Sequence, residues 1–429
     1  MAITIVQQPP AYAFGSSPMV YGLDSTAYAS TGFAYIADVF VWTGSIASVP
    51  VSYAYRFKMR PDPVSGRYGY LDIRNVVDQY LSATTIAHDD GDAQNNVSSV
   101  VNVQVKFREY TNSGGVSGVM ATSASIRAYD GWSEVSEGLN ANVLTNTGGV
   151  LTSMPLSPSW VPIWEEQQMT MGIMLGAVTP PDRISVNYSD GTTGTLLFST
   201  LSVTGGNNSQ NWMWFVPIGI TNLNASAIDR KPSDIANLQW YTVDFLPGYA
   251  TVYAARVTAD GGTVEGVACL EAALSELTEI TTTYRFEVQC EPRYEPLTLA
   301  FQNKYGAWDY LLVQKKSVES ISIERDTYTA NVITRAAGSA SIPSYAASKQ
   351  YFNTQGQEQL IVNTGFIAEG MNEAVKQMML SSALQLVEQD QAVILKDTQV
   401  TYKTSVNDNL VQYTFTLEYA NPVKNKLWL

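Results

Sequence analysis

Histidine is nearly absent from this chain: its 429 residues contain His88 alone, and only two cysteines, Cys269 and Cys290. That scarcity bounds the chemistry. Nucleophilic catalysis of the Ser-His-Asp or Cys-His kind needs an imidazole as base, so it could only use His88. His88 precedes Asp89-Asp90-Gly91-Asp92, far in sequence from either cysteine, and reads as a solvated loop residue. Two thiols cannot make the framework of a small secreted disulfide scaffold. They read as two buried thiols, with a single bridge between them as the alternative. Two cysteines and one histidine are also too few for a closed zinc shell without carboxylates.

Charge is scarce as well. Asp, Glu, Lys and Arg make up 15% of the chain, against about 25% in ordinary soluble domains. The 39 acidic residues outnumber the 25 basic ones, for a net charge of −14. This balance argues against a protein that grips nucleic acid by its phosphates, and is compatible with a wall that DNA slides past. No run approaches the ~20 apolar residues of a membrane span. Met1-Ala-Ile-Thr-Ile-Val-Gln-Gln-Pro-Pro10 lacks the basic start and apolar core of a secretory signal. The expectation is a chain made in a cytoplasm, with no membrane partner. A Gly-rich phosphate loop of the Walker or dinucleotide type is missing too.

Uncharged polar residues fill the gap, together with 25 Tyr and 9 Trp. Such a surface suits close packing against neighbours, because drying Ser or Thr costs less than drying Lys or Glu. Tyr and Trp add large apolar area with a polar tip.

The length predicts two to four domains at ~100–200 residues each. Period-two alternation dominates, with strands expected at 3–6, 33–42, 51–57, 101–107, 212–216, 284–290, 297–301, 308–313, 317–326, 391–395 and 411–419. Val51, Tyr53, Tyr55 and Phe57 fall on one face. Asp190-Gly191 and Asp260-Gly-Gly262 mark hairpins, since tight turns need positive φ. Helical spacing appears at 72–81, capped by Asp72, at 271–278 and most clearly at 368–380. Glu291-Pro-Arg-Tyr-Glu-Pro296 reads as a stiff connector. The fold class is mainly β: two or more antiparallel β-sandwich modules with a few short helices. The expected division is an N-terminal module over 1–110, a middle β-rich region over 111–290, continuing or inserted in the first, and a C-terminal module over 291–429.

Two clusters could carry chemistry. Asp89, Asp90 and Asp92 with Asn95 and Asn96 could offer oxygens to calcium, but the EF-hand glycine and distal glutamate are missing, so a solvated turn is the reading. Glu165-Glu166 beside Trp160 and Trp164 suggests a sugar cleft, yet neighbours on a strand point to opposite faces and cannot flank one glycosidic bond. No catalytic residue, cofactor or metal ligand is assigned.

Ile3-Thr-Ile-Val-Gln-Gln-Pro-Pro10, the β-rich stretch holding Tyr53 to Phe57, and Gly69-Tyr-Leu-Asp-Ile-Arg-Asn-Val-Val77 together resemble virion structural proteins of tailed bacteriophages. Phe301-Gln-Asn-Lys-Tyr-Gly-Ala-Trp-Asp-Tyr310 is similar to the strand, Asn, Gly, aromatic, strand segment of some distal tail and baseplate proteins. The resemblance implies a tail, baseplate or head–tail joining component, built of β-sandwich modules in symmetric rings and located in the virion. Its partners would be copies of itself and other virion proteins, with DNA passing through the lumen unbound. Tyr12 and Phe14 in the opening arm, and Tyr305, Trp308 and Tyr310 in the aromatic turn, are the candidate interface residues. Loops at 82–97, 111–150 and 328–350 are candidate locking arms. The alternative is a host-surface carbohydrate-binding protein whose exposed rings stack on sugars without catalysis.

Overall fold

The computed structural model describes residues 3–82, 88, 94–96, 99–143, 149–174, 181–197, 213–247, 282–289, 293–401 and 410–421. Asp89 to Asp92, the hairpin at 256–267, the helical turn at 271–278, Cys269 and Cys290 lie outside the described residues. The fold is mainly β, with antiparallel and mixed sheets and a few short helices. The chain divides into two units. Unit 1 comprises Met1–Cys290, Phe301–Tyr310 and Gly370–Ser381; unit 2 comprises Glu291–Ala300, Leu311–Glu369 and Ser382–Leu429. The stretch expected as one C-terminal module is therefore shared, because the aromatic turn and the helix after Gly370 cluster with unit 1.

Unit 1 begins as a sandwich. Ile3–Gln7, Val20–Ser25 and Gly69–Asp72 form one sheet. Tyr12–Phe14, Ile126–Tyr129, Val100–Thr111, Ala34–Trp42 and Tyr55–Met59 follow in that order in the second, and Gly115–Thr122 also pairs with Val100–Thr111. Val101, Val103, Val105 and Phe107 alternate into the core, as a period of two requires. Tyr21 from the first sheet meets Phe107 from the second, ring to ring at 5.4 Å. The expected strand at 51–57 starts later, at Tyr55, and Val51 is fully exposed. A short helix, Arg74–Val77, continues as a 3-10 turn, Asp78–Tyr80. Asp72 Oδ1 accepts the Arg74 N–H at 2.9 Å and the Met19 N–H at 3.1 Å, so the carboxylate starts the helix one residue ahead of its cap.

Two further sheets of unit 1 are seen among the described residues. Val150–Leu151, Thr170–Met174, Met213–Pro217 and Gln94–Asn96 form one. Val161–Ile163, Thr282–Val288, Trp240–Pro247, Pro181–Tyr188 and Thr193–Leu197 form the other. The hairpin at Asp190-Gly191 is present, with Gly191 at φ 82° and the Thr192 N–H donating to Asp190 Oδ1 at 2.9 Å. The sheets are not purely antiparallel. Ile126–Tyr129 pairs parallel with Tyr12–Phe14, and Val161–Ile163 pairs parallel with Thr282–Val288. These pairings join strands far apart in sequence, which alternation cannot reveal.

The aromatic turn is tied down by one buried carboxylate. Asp309 has no exposed surface. Its Oδ1 accepts the Thr152 hydroxyl at 2.6 Å. Its Oδ2 accepts the Ser153 N–H and hydroxyl, both at 2.6 Å, and the Asn303 amide at 2.9 Å. Asn303 also donates to the Leu151 carbonyl, while its Oδ1 accepts the N–H groups of Tyr305 and Ala307. Gly306 takes φ 80° and lies against the backbone of Asp130, with Trp132 N–H donating to the Lys304 carbonyl at 2.8 Å. The helix Asn372–Leu380 buries Ala374, Val375, Gln377 and Met378, and Gln377 Oε1 accepts the Lys304 N–H at 2.9 Å.

Burial raises the Asp130 carboxyl above its ordinary range, opposed by the Gln302 amide that donates to it at 2.9 Å. A raised folded-state pKa contributes stability below the unfolded value, and that contribution is lost as pH rises through the folded one. Asp130→Asn should therefore gain stability relative to the parent protein between about pH 4 and about pH 7. Thermal melts of both proteins at the two pH values check this; an unchanged difference would refute it.

Unit 2 is built on a seven-stranded sheet. Its order is Trp308–Val313, Leu297–Gln302, Leu384–Leu386, Gln391–Leu395, Thr414–Tyr419, Lys349–Asn363, Val318–Thr329. Leu299, Leu360, Val362, Leu386, Phe415 and Leu417 form its buried interior. The region expected as a loop at 328–350 is shorter than that, because the flanking strands run to Thr329 and restart at Lys349.

Candidate interaction surface

The five aromatic residues singled out in the sequence are brought together in unit 1, but mostly inside it. Phe14 stacks on Tyr305 with ring centres 6.1 Å apart, and both are buried. Tyr12 is half-buried, its ring 6.5 Å from that of Tyr129. Trp308 and Tyr310 are buried and meet His88 edge to face at 5.7 and 5.6 Å. Phe14, Tyr305, Trp308 and Tyr310 thus serve the interior of unit 1 and present little surface to a neighbour.

His88 is buried, not solvated. Its Nδ1 lies 2.9 Å from the Tyr310 hydroxyl, which lies 2.8 Å from the Thr170 hydroxyl. Its carbonyl accepts the Asn222 amide at 2.7 Å, and Asn222 Oδ1 accepts the Met169 N–H at 2.6 Å. The acidic residues after it in sequence suggested water, whereas the two rings that enclose it come from more than 200 positions away. Glu165 and Glu166 are exposed and sit in a turn after Val161–Ile163. Among the described residues, no group of three or more His, Cys, Asp and Glu could hold a metal ion.

The surface that stands out is an arm in unit 2. Val318–Thr329 pairs antiparallel with Lys349–Asn363, from Val318 opposite Ile361 to Thr329 opposite Lys349. On its other side, Lys349–Asn363 meets Thr414–Tyr419 only between Gln359 and Asn363. From Ile321 outward the arm is a ribbon of two strands alone, about 30 Å long at ~3.3 Å per residue. All twelve residues of Val318–Thr329 are exposed, and this strand ends the sheet. Beyond it, Thr334–Ala336 and Ser339–Ser341 form a small hairpin. Its turn runs through Ala337 at φ 45° and Gly338 at φ 82°, the left-handed pair that matches strand twist.

Pairing fixes which side chains share a face. Ile321 and Ile323 lie on one face, opposite Glu358 and Gly356 and in line with the buried Leu360. Ser320, Ser322 and Glu324 lie on the other, opposite Gln359, Gln357 and Gln355. A bulge between Asp326 and Thr327 leaves Phe352 as the extra residue of the partner strand. Near it, Arg325 sits 5.3 Å over Tyr351, and Tyr328 meets Phe352 edge to face at 6.2 Å. Tyr345 and Phe352 are 90% and 68% exposed. From Thr327 to Ser348 the one charged residue is Arg335. An isolated two-stranded ribbon is marginal in water, and exposed apolar side chains in this concentration mark an interaction site.

Sequence patterning missed the strand Lys349–Asn363 because it shows no apolar alternation over most of its length. Gln355, Gln357 and Gln359 stand where a half-buried strand would carry Val or Ile. The available signal was the near-chargeless stretch 327–348, which follows a strong strand and needs a return path.

Unit 1 ends one of its sheets with a second exposed edge, Tyr55–Met59. Tyr55 stacks on Phe57 and meets Tyr80 edge to face, both at 6.5 Å, and Arg56 lies 4.4 Å over Tyr53. Tyr53, Tyr55 and Tyr80 are all exposed.

No family model matches the sequence, and no curated protein matches it. Among solved structures, a marsupial T cell receptor aligns at 9% identity over 85% of this chain and 96% of that chain, with a TM-score of 0.17. A likeness that low carries no argument about fold or function.

Proposed function

We propose that this chain is a non-catalytic structural subunit of a bacteriophage virion. It forms a symmetric ring in the tail, baseplate or head–tail junction and joins neighbouring virion proteins after synthesis in the host cytoplasm. One observation carries the assembly part of this reading: a two-stranded arm that exposes Ile321, Ile323, Tyr345, Tyr351 and Phe352. A ribbon of this kind gains its stability from what covers it. The low charge of the chain supports the same reading, because large contacts can dry without stranding ions. The phage assignment rests on the resemblance of the N-terminal segments and the aromatic turn. The net charge of −14 suits a channel wall that lets DNA pass without holding it.

The test is removal of the arm. Joining Ser320 to Gln359 through an Asn-Gly turn should leave a folded protein by circular dichroism and abolish higher assembly by light scattering. Negative-stain images of the full chain should show rings. A full chain that stays monomeric at every concentration, with no partner in particles, defeats the reading. The competing reading, a host-surface carbohydrate-binding protein, would use the exposed rings of Tyr345 and Tyr351. Glycan binding lost in Tyr345→Ala and Tyr351→Ala, by a protein that forms no rings, would favour it.

A further inference from the structure

The outer edge of the arm has a pattern that says what pairs with it. Val318–Thr329 has one neighbour among the described strands, Lys349–Asn363, so its other edge presents backbone N–H and C=O groups to solvent. Edges of this length are normally guarded by proline, lysine or inward-pointing charge. This strand reads Val-Glu-Ser-Ile-Ser-Ile-Glu-Arg-Asp-Thr-Tyr-Thr and contains neither proline nor lysine. Its charges are of both signs: Glu319, Glu324 and Asp326 against Arg325.

We propose that two copies of the chain pair antiparallel along this edge, about a two-fold axis at Ser322. The inference rests on the assembly reading only in requiring that the chain self-associates. It follows from symmetry and charge. A two-fold axis perpendicular to a sheet keeps each side chain on its own face, so opposed residues must lie an even number of positions apart. The axis then passes through a residue, and each choice can be checked. Centring on Glu324, Arg325 or Asp326 opposes like charges, which destabilises a cross-strand pair. Centring on Ile321 or Ile323 opposes no ion with another. Centring on Ser322 sets Glu319 against Arg325 of the second copy, and the reverse. It also sets Ile321 against Ile323, and the reverse, on the face that carries the buried Leu360. Glu324 and Asp326 then face Ser320 and Val318, with no like charges opposed. The arm would become a four-stranded ribbon, and the four isoleucines would form an apolar patch across its two central strands.

Cysteine placement and charge exchange test the register. Opposed residues have Cβ atoms about 4.5–5.5 Å apart, so Ser322→Cys should cross-link to itself under mild oxidation. Glu324→Cys should not, because its two copies are offset by about 13 Å along the strands. Mixed Ser320→Cys and Glu324→Cys proteins should cross-link to each other. In sedimentation velocity, Arg325→Glu should raise the dimer dissociation constant about tenfold or more. The double exchange Glu319→Arg with Arg325→Glu should restore it. Self-association that ignores these charge changes, with Ser322→Cys no more reactive than Glu324→Cys, overturns the edge pairing and leaves the assembly reading standing. A chain that never self-associates overturns both. All five substituted side chains are exposed, and restoration by the double exchange separates lost contact from lost fold.

Discussion

Asp309→Ala is expected to cost about 3–5 kcal/mol, a large share of the ~5–15 kcal/mol that holds a domain together. The carboxylate is wholly buried and accepts from Thr152, twice from Ser153 and from Asn303. Alanine would leave these donors facing a cavity, and each stranded polar group carries its full desolvation penalty. Asn303 would lose part of the support for its own bonds to Tyr305 and Ala307, so the turn would loosen with it. Asp309→Asn should be milder, yet still damaging, because one of its two acceptors becomes a donor aimed at other donors. Urea unfolding of the three proteins measures the series. A loss below about 1 kcal/mol for the alanine variant would show that the network is not what holds the turn.

Gly306→Ala should be comparably severe, for a different reason. At φ 80° an L side chain is already strained, and a Cβ there would stand 1.9 Å from the Asp130 carbonyl oxygen. That neighbour is backbone and cannot swing aside, so the turn must leave its seat; the expected loss is about 3 kcal/mol or more. Asparagine tolerates positive φ better than most residues, but Gly306→Asn should rescue little, since the obstacle is the Cβ itself. Gly191 is the internal control. It has φ 82° with nothing within 4 Å of a built Cβ, so Gly191→Ala should cost only about 1 kcal/mol and Gly191→Asn less. Equal losses at the two positions would mean that backbone strain alone, not contact with Asp130, sets the penalty.

These sites show which parts of the fold were legible in the chain. Half-buried strands were, because one wet face and one dry face force alternation: Val101 to Phe107 and Phe415 to Leu417 carry it plainly. The positive-φ turn at Asp190-Gly191 was legible too. The helix Asn372–Leu380 announced itself by its spacing. What stayed hidden depends on distant partners. Tyr310 and Trp308 were expected to face neighbours, but an aromatic pattern looks the same whether the ring meets another subunit or His88. The parallel pairing of Tyr12–Phe14 with Ile126–Tyr129 leaves no local trace. The inner strand of the arm has water on both faces, so it lacks the alternation by which strands are read.

The discontinuous make-up of unit 1 bears on how the molecule can be made. Its segments Phe301–Tyr310 and Gly370–Ser381 are cut off from the rest of the unit by residues 291–300 and 311–369. A ribosome that has released residue 290 has not yet supplied Asn303, Asp309 or the helix that seats the turn. The amino-terminal unit must therefore wait, incomplete, until translation has passed residue 381 and the whole arm has emerged. Nascent chains are barred from assembling through that unit before residue 381 has been translated, and a gene fragment ending at 290 should give an aggregation-prone product, not a free-standing domain.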